Sequence, residues 1–191
     1  MELVFIILAG VISLVGTVPY IWDTLHGTTK PRVASWSIWA VLTGIAAAAS
    51  LSDGQLASGL LAVCMTTSCT LITLIAIIKN GYGSFDAFNV CCFVAALLGI
   101  VLWQGFSEPS FAVAVVVLID AIASLPTVRH AWQAPHEETL FEFLMAGSAS
   151  MLTLITAQSW AITAVAYPLF IVCFDLTVAA VLMYRRHKIA M

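Results

Sequence analysis

Lysine and arginine are scarce in this chain, seven in 191 residues, and the stretches that hold none of them are the informative ones. No Lys falls inside an apolar run, which excludes a retinal Schiff base. No His does either, because His26, His130, His136 and His187 are all expected in connections on one side. A Ser/His/Asp set within the apolar part is thereby excluded. There is no Gly-rich phosphate loop and no paired metal-ligand spacing, so no cofactor and no metal is expected, and no nucleic-acid partner. The five cysteines (Cys64, Cys69, Cys91, Cys92, Cys173) all lie in apolar runs, so no disulfide framework is implied. Charged residues make up 9% of the chain, against roughly 25% in an average soluble domain. What replaces them is apolar: 62% of the residues are hydrophobic.

Those apolar residues fall into seven runs, approximately 2–22, 33–51, 55–78, 87–105, 109–128, 138–156 and 160–184. Each is near the 20 residues that a membrane-crossing helix needs. The fold expected is an all-α polytopic membrane protein of seven transmembrane helices. The first run is read as a retained helix and not a cleaved leader, since Met1 and Glu2 supply no basic start. Lys30 and Arg32 follow the first run, Lys79 closes the third, Arg129 follows the fifth, and Arg185, Arg186 and Lys188 follow the seventh. The connections after the second, fourth and sixth runs contain none. Cytoplasmic loops hold the Lys/Arg excess, so the N-terminus is expected outside and the C-terminus in the cytoplasm, in the plasma (inner) membrane.

The two ends of the chain look like copies. Pro19 and Pro126 stand 107 residues apart near the inner ends of the first and fifth runs. Pro31 and Pro135 precede the second and sixth runs, and Lys79 and Arg185 end the third and seventh. The organisation expected is two three-helix bundles, 1–80 and 107–191, joined by a linker helix at 81–106. The linker reverses the chain, so the bundles run parallel, and a substrate site is expected between them near mid-membrane. Ala40, Gly44 and Ala48 form a small-residue stripe that lets the second helix approach a neighbour closely.

From Pro19 to Trp36 the sequence reads Pro-Tyr-Ile-Trp-Asp-Thr-Leu-His-Gly-Thr-Thr-Lys-Pro-Arg-Val-Ala-Ser-Trp. This resembles the first repeat of the PQ-loop and SWEET-type (MtN3-like) transporters: a proline, a basic loop residue (Lys30), then a serine (Ser35) opening the second helix. Pro126 through Thr139 resembles it more loosely, with Arg129 as the basic residue. Tyr20 and Thr127 stand where a PQ-loop protein has glutamine. The resemblance implies a three-plus-one-plus-three helix arrangement and a polar substrate contact at mid-height of the third and seventh helices. Ser68 or Cys69 would then face Asp175.

Two acids carry the chemistry expected of such a chain. Asp120 in the fifth run and Asp175 in the seventh each lie roughly 12–14 Å from the inner interface, near mid-membrane. An ionised carboxylate there costs about 2.5–3.5 kcal/mol, so it faces a cavity, finds a partner or takes up a proton. Either the pair binds a proton or a cationic group, or each acid holds the bundle together through a hydrogen bond. Glu142 sits one turn after Glu138 on one face and is expected about 6 Å deep, able to snorkel or to act as a gate. Glu138 is expected at the interface, paired with Arg129 or His130. Trp22, Trp132, Trp103 and Trp160 read as an interfacial belt, whereas Trp36 and Trp39 either join it or line a vestibule. Pro19 and Pro126 are the candidate hinges. The function expected is transport of a small polar solute by alternating access, open to proton coupling. The other reading is a non-transporting receptor or assembly subunit on the same scaffold. Its partners are the lipid bilayer, the solute and protons, with a homo-oligomer left open.

Overall fold

The computed structural model describes residues 2–52, 56–79, 86–103, 105, 109–155 and 160–190, and among these it is all-α. Seven helices follow one another: α1 (Glu2–His26), α2 (Val33–Ser52), α3 (Leu56–Ile78), α4 (Ala87–Trp103), α5 (Pro109–Gln133), α6 (Leu140–Ile155) and α7 (Ile162–Ala190). A single 3-10 turn, Pro135–Glu137, connects α5 to α6. Several helices outrun their apolar runs: α1 reaches His26, α5 reaches Gln133 and α7 reaches Ala190. The backbone keeps its internal hydrogen bonds there, so nothing stops the helix where hydrophobicity stops. Three helices are long and apolar enough to cross a membrane, over Ile7–His26, Val113–Gln133 and Val165–Ile189. The others offer shorter apolar stretches, Val33–Ala47, Ala62–Ile78, Ala87–Val101 and Leu140–Ile155. The expectation of seven spans is thus met for three, and a membrane location fits.

Helix ends follow local chemistry. Gly27 adopts φ 77°, and its N–H donates to Thr24 O at 3.1 Å while Thr28 N–H donates to Asp23 O at 3.0 Å. That is a Schellman stop, which needs a left-handed residue and is cheapest with glycine. Asp86 caps α4, its Oδ1 accepting from Asn89 N at 2.9 Å. Pro19, Pro126 and Pro168 lie inside α1, α5 and α7, which continue through them.

α3 packs against both α1 and α2, and α7 against both α5 and α6. α1 also meets α6 and α2 meets α5, so these six helices close a ring, with α4 leaning on α5 and α2 from outside. Burial recurs at the shifts seen in the sequence. Thr17, Tyr20 and Thr24 are buried on α1, as are Ser124, Thr127 and Ala131 on α5, each 107 residues later. Cys69, Ile72, Thr73 and Ala76 on α3 are matched 106 residues later by Asp175, Val178, Ala179 and Leu182 on α7. The outer face of the ring is apolar: Val18, Ile78, Leu98, Val101, Leu118 and Ile155 are all well exposed. A largely apolar exterior of this kind suits lipid more than water. Gly44 of the small-residue stripe faces α3, where an added Cβ would meet Thr66 Cγ2 at 3.6 Å. The side chain of Ala48 lies outside the described residues.

Candidate functional site

Where the helices of the two halves meet, buried acids sit beside a largely apolar and aromatic cluster. Asp120, 1% exposed, is held by three neutral donors. Trp39 Nε1 donates to Oδ1 at 2.6 Å, Tyr167 OH donates to Oδ2 at 2.9 Å, and Ser124 Oγ lies 3.5 Å from Oδ1. Indole N–H can only donate, so this cradle is built for an acceptor oxygen. Asp175 and Glu142 are also buried, yet Asp175 Oδ2 and Glu142 Oε2 have no hydrogen-bond partner among the described residues. Glu142 has only Thr17 Oγ1, 3.5 Å from its Oε1. Both acids occupy room left by glycines. A Cβ on Gly16 would fall 2.7 Å from Glu142 Oε2, and one on Gly147 would fall 3.2 Å from Asp175 Cβ. Asp175 lies within charge-interaction range of both Glu142 and Asp120, and Cys69 within range of Glu142 and Asp120.

An aromatic column closes the ring between these acids and the end that carries the basic residues. Tyr20 and Trp36 are 4.9 Å apart by ring centroids, Trp36 and Trp39 5.0 Å, and Trp39 and Phe174 5.7 Å. Phe143 completes it against Phe174 at 6.3 Å. Trp36 and Trp39 therefore do not belong to an interfacial belt: Trp36 is 4% exposed, its N–H donating to Tyr20 OH at 3.2 Å. Trp22, Trp132 and Trp160 are exposed, as a belt requires. The side chain of Trp103 lies outside the described residues.

Beyond the column, polar contacts tie the α1–α2 connection to the α5–α6 connection. Tyr20 OH donates to Glu138 Oε2 at 2.9 Å, Thr29 and Thr139 hydroxyls share a 2.6 Å hydrogen bond, and Thr139 donates to Asp23 Oδ2 at 2.7 Å. Lys30 pairs with Glu137, its backbone N–H also donating to Glu137 O at 2.9 Å, and Arg32 donates to His130 Nδ1. Arg186 anchors the far side, donating to Pro135 O at 2.9 Å and Glu138 O at 2.5 Å. Burial pushes the Glu138 carboxyl up to about 8, against the pull of the Tyr20 hydrogen bond and of Arg32 and Arg186. Burial also lowers the Arg32 guanidinium below its ordinary value.

Several expectations change here. Glu138 is fully buried, where it accepts from Tyr20 and lies within ion-pair distance of His130, one of its two expected partners; the other, Arg129, pairs with Asp86 at 2.8 Å. His130 lies 3.8 Å from Glu138 Oε1, not in a loop but buried in the last turn of α5. The cause is the extra helical turn of α5, which carries His130 into the ring. Glu142 does not snorkel: α1 crosses it at Gly16 and covers it. Asp120, Asp175, Cys69 and Glu142 come together, with Trp39 bonded to the first of them. Ser68 is buried beside Cys69 on α3. Pro126 borders a cleft of about 30 Å³ together with Arg32, Asp86, Asn89, Arg129 and His130.

Sequence reasoning missed Tyr167, Tyr20, Thr17 and the two glycines that admit the acids. A signal existed for the tyrosines, since each is a polar-tipped ring next to a helix-interior proline, Pro168 or Pro19. Among the described residues no group of His, Cys, Asp or Glu is arranged to hold a metal ion. Comparisons of the chain with protein-family models, with curated proteins and with solved structures find no match.

Proposed function

We propose that this protein is an integral membrane carrier that moves a small polar solute by alternating access. In this reading all seven helices cross the bilayer as two like-oriented trios, 1–80 and 107–191, joined by α4, on a SWEET/PQ-loop-like plan. The basic end faces the cytoplasm, following the distribution of Lys and Arg. The observation that carries the reading is the group of three buried acids at the junction of the two trios, two of them with an unpartnered oxygen. Unpaired carboxylates in a membrane are costly and persist where they meet a proton, a cation or a pathway.

The seal at one end supports the same cycle. The aromatic column and the contacts beyond it join first-half to second-half residues, so parting the trios at that end would break them together. The closed arrangement is then one of two states, with the acids reached from the opposite end. Binding energy shifts such an equilibrium only through different contacts in the two states, and the acids supply a contact that does so. The experiment is solute flux into proteoliposomes with and without a pH gradient, for the wild type, Asp120→Asn and Asp175→Asn. Flux that depends on the gradient and is lost in both variants supports a proton-linked carrier. Binding of solute without any flux would instead favour a receptor on this scaffold.

A further inference from the structure

We propose that the buried acids line a chamber specific for a solute carrying a charged amine, whose ammonium group is held by Glu142 and Asp175 beside the aromatic cluster that includes Trp39 and Phe174. This rests on the carrier reading and names its substrate class. The acids are distributed unequally between the halves. α5, α6 and α7 each contribute one, Asp120, Glu142 and Asp175. At the repeat shifts the first half has Ser13, Ile38 and Cys69. One wall of the chamber is thus anionic and the other neutral.

No fixed cation balances that wall. All seven Lys and Arg lie at the basic end, beyond the aromatic column from the acids. Asp120 already has its oxygens supported by Trp39, Tyr167 and Ser124. The incomplete groups are the other two: Glu142 Oε2 and Asp175 Oδ2 are each in a residue at least nine-tenths buried, and neither oxygen has a donor. An ammonium group has up to three N–H donors and a full positive charge, which meets both deficits at once.

The rings distinguish an amine from a bare proton. Cys69 belongs to the cluster that contains Trp36 and Phe143, with Trp39 and Phe174 packed on it, and it also lies within charge range of Glu142 and Asp120. The aromatic cluster and the acids therefore share a boundary. Indole and phenyl faces attract a desolvated ammonium, and a proton residing on a carboxyl group gains nothing from them.

The test is ligand binding to the purified full chain in nanodiscs, separate from any flux. The probes are ethanolamine and its neutral near-isostere ethylene glycol, in which a hydroxyl replaces the ammonium group, followed by methylammonium and putrescine. Saturable binding of at least one amine at millimolar concentration, with none of ethylene glycol, is the expected result. Glu142→Gln and Asp175→Asn should each weaken that binding about tenfold or more, as loss of a charged hydrogen-bond acceptor does. Equal binding of ethanolamine and ethylene glycol, or no binding of any amine, overturns the assignment. If a variant does not fold, the wild-type comparison still decides. Amine binding without flux would refute the carrier and leave the site standing, whereas flux of a neutral solute without amine binding would do the reverse.

Discussion

Replacing Gly16 by alanine tests how tightly α1 crosses α6 over the acid. The added Cβ would lie 2.7 Å from Met145 Cβ and 2.7 Å from Glu142 Oε2, closer than the 3.0 Å that real Cβ contacts respect. The carboxylate could swing aside, but Met145 Cβ is fixed to the α6 backbone, so the two helices must part. Overpacking of this kind costs about 1–3 kcal/mol. Alanine recovers up to about 1 kcal/mol through its better helix propensity. The net expectation is a loss of about 1–2 kcal/mol. Gly44→Ala is the internal control, because its new Cβ meets only Thr66 Cγ2 at an ordinary 3.6 Å. That variant should be neutral or gain up to about 1 kcal/mol. Thermal melts of both variants in one detergent should separate them by roughly 2–4 °C for each kcal/mol. Gly16→Ala melting at or above the wild type, or Gly44→Ala proving the weaker, would refute the crossing described.

Three further outcomes follow from the basic end. Tyr20→Phe removes the hydroxyl that donates to Glu138 and accepts from Trp36, and should cost about 1–3 kcal/mol in the same melts. Glu138 has its carboxyl raised from 4.5 to about 8 by burial, so the folded chain keeps a proton that the unfolded chain releases in that interval. Its contribution to stability is full below about 4.5 and is lost as pH climbs through about 8, so melts across this range should fall and Glu138→Gln should flatten the fall. Arg129→Ala breaks a half-exposed ion pair and a cation–π contact with Phe88 at 4.8 Å, and should cost at most about 2 kcal/mol. Asp86→Ala loses the same ion pair together with the α4 cap, worth about 0.5–2 kcal/mol; no measurable loss would mean that the cap contributes nothing.

The outline of the molecule was legible because membrane patterning is one-dimensional. Apolar runs, loop charges and the repeated prolines place seven helices near their observed positions. What failed was anything set by how helices face each other. Glu142 was placed by depth alone as able to reach the surface, and the crossing at Gly16 that buries it has no trace in hydropathy. His130 is expected in a connection because polar letters end the apolar run, although α5 continues for another turn, and Glu138 is expected at the interface by depth alone, although Tyr20 bonds to it and covers it. Tyr167 meets Asp120 from 47 residues away, a partnership set by the packing of α5 on α7.

The direct test of a two-sided chamber is the reactivity of Cys69, which needs no knowledge of the solute. With Cys64, Cys91, Cys92 and Cys173 replaced, Cys69 remains as the single thiol, buried beside the acids. A small membrane-impermeant thiosulfonate, added to either face of oriented vesicles, reports which side reaches it. The account predicts modification from both faces, with the basic-end rate rising when Tyr20→Phe loosens that seal. Modification from one face only, under every condition, would contradict alternating access.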